Sequence, residues 1–133
     1  MYEQVWNRRR FDLVTRHVDE RIACHTVRNR RTLNVTPYLL DIINLLASFP
    51  DAQIEVRDLA VCESEELGTR IAAVWVLRGT YCGVPTYGPI TRSPVRILGA
   101  THFEMREGRV LREWRLFDEV AVLAQIMRAR AAG

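Results

Sequence analysis

Asp118 closes a run, Arg109 to Phe117, whose side chains alternate as in a strand, and it precedes an apolar-rich helix signal that begins at Glu119. Read by simple alternation, Asp118 shares a face with Val110, Trp114 and Leu116, and we expect Trp114 and Asp118 to look into a cavity while Glu113 and Arg115 look outward. A carboxyl on an apolar face is desolvated, which raises its pKa toward the working pH. Such a group can remove a proton from carbon next to a carbonyl. The same aspartate could instead cap the helix at Glu119, where backbone N–H donors would lower its pKa. Spacing admits both roles.

Histidine is the next proton carrier. His102 lies on the preceding strand, where alternation groups it with Arg96, Glu104 and Arg106, opposite Val95, Ile97, Gly99, Thr101, Phe103 and Met105. A bulge near Gly99 would bring it to the apolar face; otherwise it is a surface or interface residue. His25, after Ile22-Ala23-Cys24, is placed either to donate to a ligand carbonyl or to be a satisfied core histidine, and His17 reads as a helix end. Trp6, Tyr38, Trp75 and Trp114 could wall a site for a flat ligand, with Thr101 as a further polar group, or simply be core.

Other chemistries lack parts. No nucleophile-elbow motif or activated-cysteine context is visible, the three histidines lack metal-ligand spacing, and there is no glycine-rich phosphate loop. Cys24, Cys62 and Cys82 are odd in number and widely spaced, so we expect reduced, mostly buried thiols. The net charge of +3 and the clusters Arg8-Arg9-Arg10 and Arg28-Asn29-Arg30-Arg31 suggest nucleic acid only superficially. The 16 acidic residues are dispersed among the basic ones and no stacking aromatics interleave the clusters, so a solvated surface is expected, with an anionic small molecule at Arg8–Arg10 an open alternative.

These side chains must be held by elements legible in the chain. Tyr2 to Asn7 reads as the last turns of an amphipathic helix, Phe11 to Val18 as helical, and Arg21 to His25 as a short strand. A helix runs from Thr36, with Thr36 as cap, Pro37 in the first turn and Leu39, Leu40, Ile42, Ile43, Leu45 and Leu46 as its apolar face, and ends at Phe49-Pro50-Asp51. Strands follow at Ala52–Val61, Thr69–Thr80, Pro94–Met105 and Arg109–Phe117, then a closing helix, Glu119–Ala129. At 133 residues the chain fits one α+β domain. No stretch approaches a membrane span and no signal peptide is recognisable, so a cytoplasmic protein without membrane or nucleic-acid partners is expected.

Glu107-Gly108-Arg109-Val110, then Glu113-Trp114 and Phe117-Asp118-Glu119, resemble the C-terminal signature of SnoaL-like polyketide cyclases, in the nuclear transport factor 2-like superfamily. Val5-Trp6-Asn7, Phe49-Pro50-Asp51-Ala52, the Trp75 strand and the loop from Gly88-Pro89 to Pro94-Val95 extend the resemblance over nearly the whole chain. It implies a curved antiparallel sheet, a cone or half-barrel, wrapped around N-terminal helices with a cavity between. It further implies Asp118 as the acid/base of an intramolecular aldol cyclisation or isomerisation, without metal or organic cofactor, with a histidine, here His102, on the strand before it. A small hydrophobic or aromatic molecule would be the ligand, bordered by Trp6, His25, Tyr38, Trp75, Thr101 and Trp114. A homodimer through the convex face would use Arg96, His102, Glu104, Glu113 and Arg115. The alternatives are a non-catalytic ligand-binding or dimerisation module on the same fold, and a hydroxylase-like relative.

Overall fold

The structure, a computed structural model, describes residues 1–133. A π-helical turn, Tyr2–Asn7, and a 3₁₀ turn, Phe11–Leu13, lead through a one-turn helix α1 (Val14–His17) into strand β1 (Val18–Thr26) and hairpin partner β2 (Arg30–Leu33). Helix α2 (Val35–Ser48) follows, then β3 (Gln53–Ser64), β4 (Gly68–Thr80), β5 (Pro94–Arg106), β6 (Arg109–Phe117) and α3 (Glu119–Ala132). The six strands form one curved, unclosed sheet in the order β2-β1-β6-β5-β4-β3, antiparallel except for the parallel pair β1–β6. The expected four-strand run is present. The strand expected at Arg21–His25 is longer and gains a hairpin partner that the charged run Arg28–Arg31 disguised.

Helix α2 starts at Val35, one residue before the expected cap Thr36, and its cap position Asn34 makes no side-chain capping bond. Its buried face is the i, i+4, i+8 series Tyr38, Ile42 and Leu46, packed on the concave side of the sheet. Trp6, Trp75 and Phe49 complete the interior beside these residues. Trp75 pairs across strands with Gly99, where a Cβ would lie 2.2 Å from the indole, so only glycine lets that ring lie flat against β5. The expectation of mostly buried thiols is corrected: Cys24 is buried, but Cys62 on edge strand β3 and Cys82 after β4 are exposed.

The detail that decides the site is in β6. Met105 pairs with Val110 but Glu104 pairs with Arg112, so Leu111 is an extra residue. Such a bulge reverses alternation beyond it. Val110 points inward, and past the bulge Glu113 and Arg115 point inward while Trp114 and Leu116 point out. No helix is long and apolar enough to cross a membrane.

Candidate functional site

Because of that bulge, the inner face of β6 carries an ion pair. Arg115 Nη1 donates to Glu113 Oε2 at 3.0 Å, and Arg115 Nη2 donates to Asp41 Oδ2 of α2 at 2.9 Å. Glu113 is 1% exposed and Arg115 2%. Tyr38 O–H donates to Glu113 Oε1 at 2.6 Å, and the Cys24 thiol stands 3.7 Å from Glu113 Oε2. The guanidinium also lies over the rings of Trp6 (5.3 Å) and Tyr38 (5.6 Å). Burial lifts the Glu113 pKa above the ordinary carboxylate range, opposed by Arg115 and by the Tyr38 and Cys24 hydrogen bonds. Burial likewise pushes the Cys24 thiol up to about 12 and the Tyr38 phenol well above its usual value.

Arg115 and Asp41 also border a cleft of about 280 Å³ between α2, the β1–β2 hairpin, the 81–93 loop and the start of α3. Arg28, Arg30, Tyr87 and Glu119 complete its polar lining. The loop is tied down by Tyr81, whose hydroxyl accepts from Tyr87 N–H at 2.9 Å and donates to the Gly88 carbonyl. Tyr87 O–H donates to Glu119 Oε2 at 3.2 Å. Burial, with Glu119 beside it, pushes the Tyr87 phenol up to about 12, so it remains a donor at neutral pH. From the hairpin, Arg28 Nε lies 3.1 Å from Glu119 Oε1 and Arg30 Nη1 lies 2.7 Å from Asp41 Oδ1. The cleft thus joins two carboxylates, a phenol and three guanidiniums, a set able to take a proton and to stabilise an oxyanion. No cluster of three or more His, Cys, Asp or Glu side chains is placed to hold a metal ion.

Asp118 does not line the cleft. It is solvent-exposed and caps α3, its Oδ1 accepting from Ala121 N–H at 3.0 Å. The expected orientation of β6 is therefore corrected: Glu113 and Arg115 face in, Trp114 faces out, and Asp118 sits outside the cavity. Trp6, Tyr38, Trp75 and Thr101 do converge, as interior packing, with Trp75 Nε1–H donating to Thr101 Oγ1 at 2.8 Å. His25, His102 and Trp114 form a second group on the outer face, where the His25 ring stacks on Trp114 at 5.6 Å and the His102 ring meets it edge-on at 5.5 Å. His25 is thus corrected from cavity wall to outer face, and no bulge brings His102 across.

The guanidiniums of the Arg8–Arg10 cluster have partners within the chain. Arg8 pairs with Glu3, Arg10 with Asp12, and Arg9 donates to the carbonyls of Trp6, Asn7 and Pro50. The residues missed by sequence reasoning are Glu113, Arg115, Asp41, Tyr87, Glu119, Arg28 and Arg30. Asp41 had a readable signal, being the sole charged residue of α2 and three positions after Tyr38. Glu113 and Arg115 had none without knowledge of the bulge.

The sequence model of the family described as SnoaL-like polyketide cyclase matches residues 1–126. No curated protein matches the chain. Among solved structures, a candidate polyketide cyclase from Acidithiobacillus ferrooxidans superposes with a TM-score of 0.80 at 20% identity, covering 96% of this chain and 89% of that one. A candidate SnoaL-like polyketide cyclase from Jannaschia sp. CCS1 gives 0.82 at 19%, covering 94% and 85%. AclR, a candidate hydroxylase from Streptomyces galilaeus, gives 0.74 at 18%, covering 93% and 88%. At these identities the likeness establishes the fold.

Proposed function

This chain belongs to the SnoaL-like polyketide cyclase family, and we propose that it binds a small polyketide-like carbonyl compound in the cleft between α2 and the 81–93 loop and cyclises or isomerises it by acid/base chemistry. One observation carries this reading: Glu119 and Arg115 line the same cleft, a carboxylate beside a phenol donor and a guanidinium immobilised by Glu113 and Asp41. Glu119 takes the proton from carbon next to the ligand carbonyl, and the electron pair moves onto the oxygen beside Arg115. In a cyclisation the enolate carbon then attacks a second carbonyl of the same molecule. The new carbon–carbon bond replaces a carbon–oxygen π bond, and the alkoxide recovers the proton from Glu119, so atoms and charge balance. Asp118 holds the first turn of α3, and with it Glu119.

A second reading, a non-catalytic binder, is favoured by one fact: both carboxylates of the cleft are already paired, Asp41 with Arg30 and Arg115, and Glu119 with Arg28. The hydroxylase description belongs to a structural neighbour, and no side chain of this cleft argues for it. Amide-shift mapping with 2,4-dihydroxyacetophenone tests the site. Saturable shifts at Leu45, Tyr87 and Phe117 are expected; shifts confined to the outer face would remove the cleft from consideration.

The reading includes a homodimer through the outer face of the sheet, where Leu98, Leu116 and Val74 are exposed beside Trp114 and His102. Glu113 and Arg115, expected in that contact, are not on this face. Sedimentation should show a dimer that L98E with L116E converts to monomer; a wild-type monomer at micromolar concentration would end this part of the reading.

A further inference from the structure

The β1–β2 hairpin closes with a turn from Val27 to Arg30, its N–H···O=C bond 3.4 Å long. Its two central residues, Arg28 and Asn29, both have positive φ, 62° and 55°. That geometry favours Asn-Gly, and an arginine at its first central position is held in a conformation that side chains with a Cβ rarely adopt. Local turn chemistry therefore does not explain Arg28; its position does, because the turn holds Arg28 and Arg30 over the same cleft. Each spends one guanidinium nitrogen on a carboxylate, Arg28 on Glu119 and Arg30 on Asp41, and no other protein group bonds either side chain. A guanidinium has five N–H donors in a planar fork shaped for a carboxylate, so most of the donating capacity of both arginines is left unused by the protein. Their side chains are also 60% and 41% exposed, free to turn toward a ligand.

We propose that the molecule bound in this cleft carries a carboxylate, received by Arg28 and Arg30 at the tip of the β1–β2 hairpin. The inference rests on the reading of the cleft as the substrate site, and it removes the main objection to catalysis there. A ligand carboxylate that engages Arg28 competes with Glu119 for that guanidinium. Glu119, released from its cation, keeps only the Tyr87 hydrogen bond and has an oxygen free to face the ligand. The substrate class is thus an enolisable carbonyl compound with a free acid group, and the acid group uncovers the base.

The test uses an isosteric pair, 2,4-dihydroxybenzoate and 2,4-dihydroxybenzamide, titrated into the full chain while amide shifts of Leu45, Tyr87 and Phe117 are followed. Neither probe can be turned over, so binding is read separately from catalysis and stands even if Glu119 is not a base. The benzoate is expected to bind about 10-fold more tightly than the benzamide, with a preference that shrinks as salt rises from about 0.05 to 0.5 M. In R28Q/R30Q, two exposed positions, the benzoate-to-benzamide preference should fall to near unity. Equal binding of the two probes by the parent, a preference that survives in R28Q/R30Q, or no saturable shift with either probe would each overturn the proposal.

Discussion

Glu113 and Arg115, two positions apart on one strand, share a hydrogen bond of 3.0 Å in an interior where each is no more than 2% exposed. A buried charge left without its partner is costly, whereas removing both charges together need not be. R115M should therefore destabilise the protein by about 3–5 kcal/mol, and E113L/R115M should recover much of that loss. Urea unfolding of the parent and both variants measures this. If the double variant is as unstable as R115M, the pair is not coupled as described.

The thiols separate by burial. Cys24 has its pKa pushed up to about 12 by burial, from an ordinary value of 9.0, while Cys62 and Cys82 are exposed. A raised thiol pKa means the folded state holds the proton more tightly. This contribution to stability is full below about pH 9 and is lost as pH rises toward about 12. At pH 8 an aromatic disulfide reagent should titrate Cys62 and Cys82 in the native protein and reach Cys24 only after unfolding. Rapid native labelling of Cys24 would contradict its placement against Glu113.

Asp118 acts on helix α3 through its bond to Ala121 N–H. D118A should cost about 0.5–2 kcal/mol, and D118N, which keeps an accepting oxygen, much less. Thermal unfolding compares them. Equal losses in the two variants would mean that the charge, and not the cap, is what matters at this position.

Much of the architecture was readable because it rests on repeating patterns. The apolar series of α2, the alternation of β5 and the Glu107-Gly108 turn into β6 all stand where the sequence places them. The strand β2 was hidden because an arginine-rich run reads as surface charge, and Arg28-Asn29 at the turn lacks the Asn-Gly signal of a tight hairpin. The site failed at a single residue. Leu111 fits an unbroken strand as well as a bulge, and its insertion turns every later side chain of β6 to the opposite face. Trp114 consequently meets His25 and His102 outside, and the charged pair that looked like surface becomes the interior. One position further along, the carboxylate on the cleft is Glu119, with Asp118 beside it as the cap.

The central claim is that proton transfer belongs to Glu119 in this cleft. The most direct measurement is the rate at which the methyl-ketone protons of 3-acetylbenzoate exchange with D2O, followed by proton NMR for the parent, E119Q and D118N. The account predicts exchange well above the buffer rate in the parent, a loss of about 100-fold or more in E119Q, and a rate within a few-fold of the parent in D118N. Exchange that survives in E119Q but disappears in D118N would contradict it.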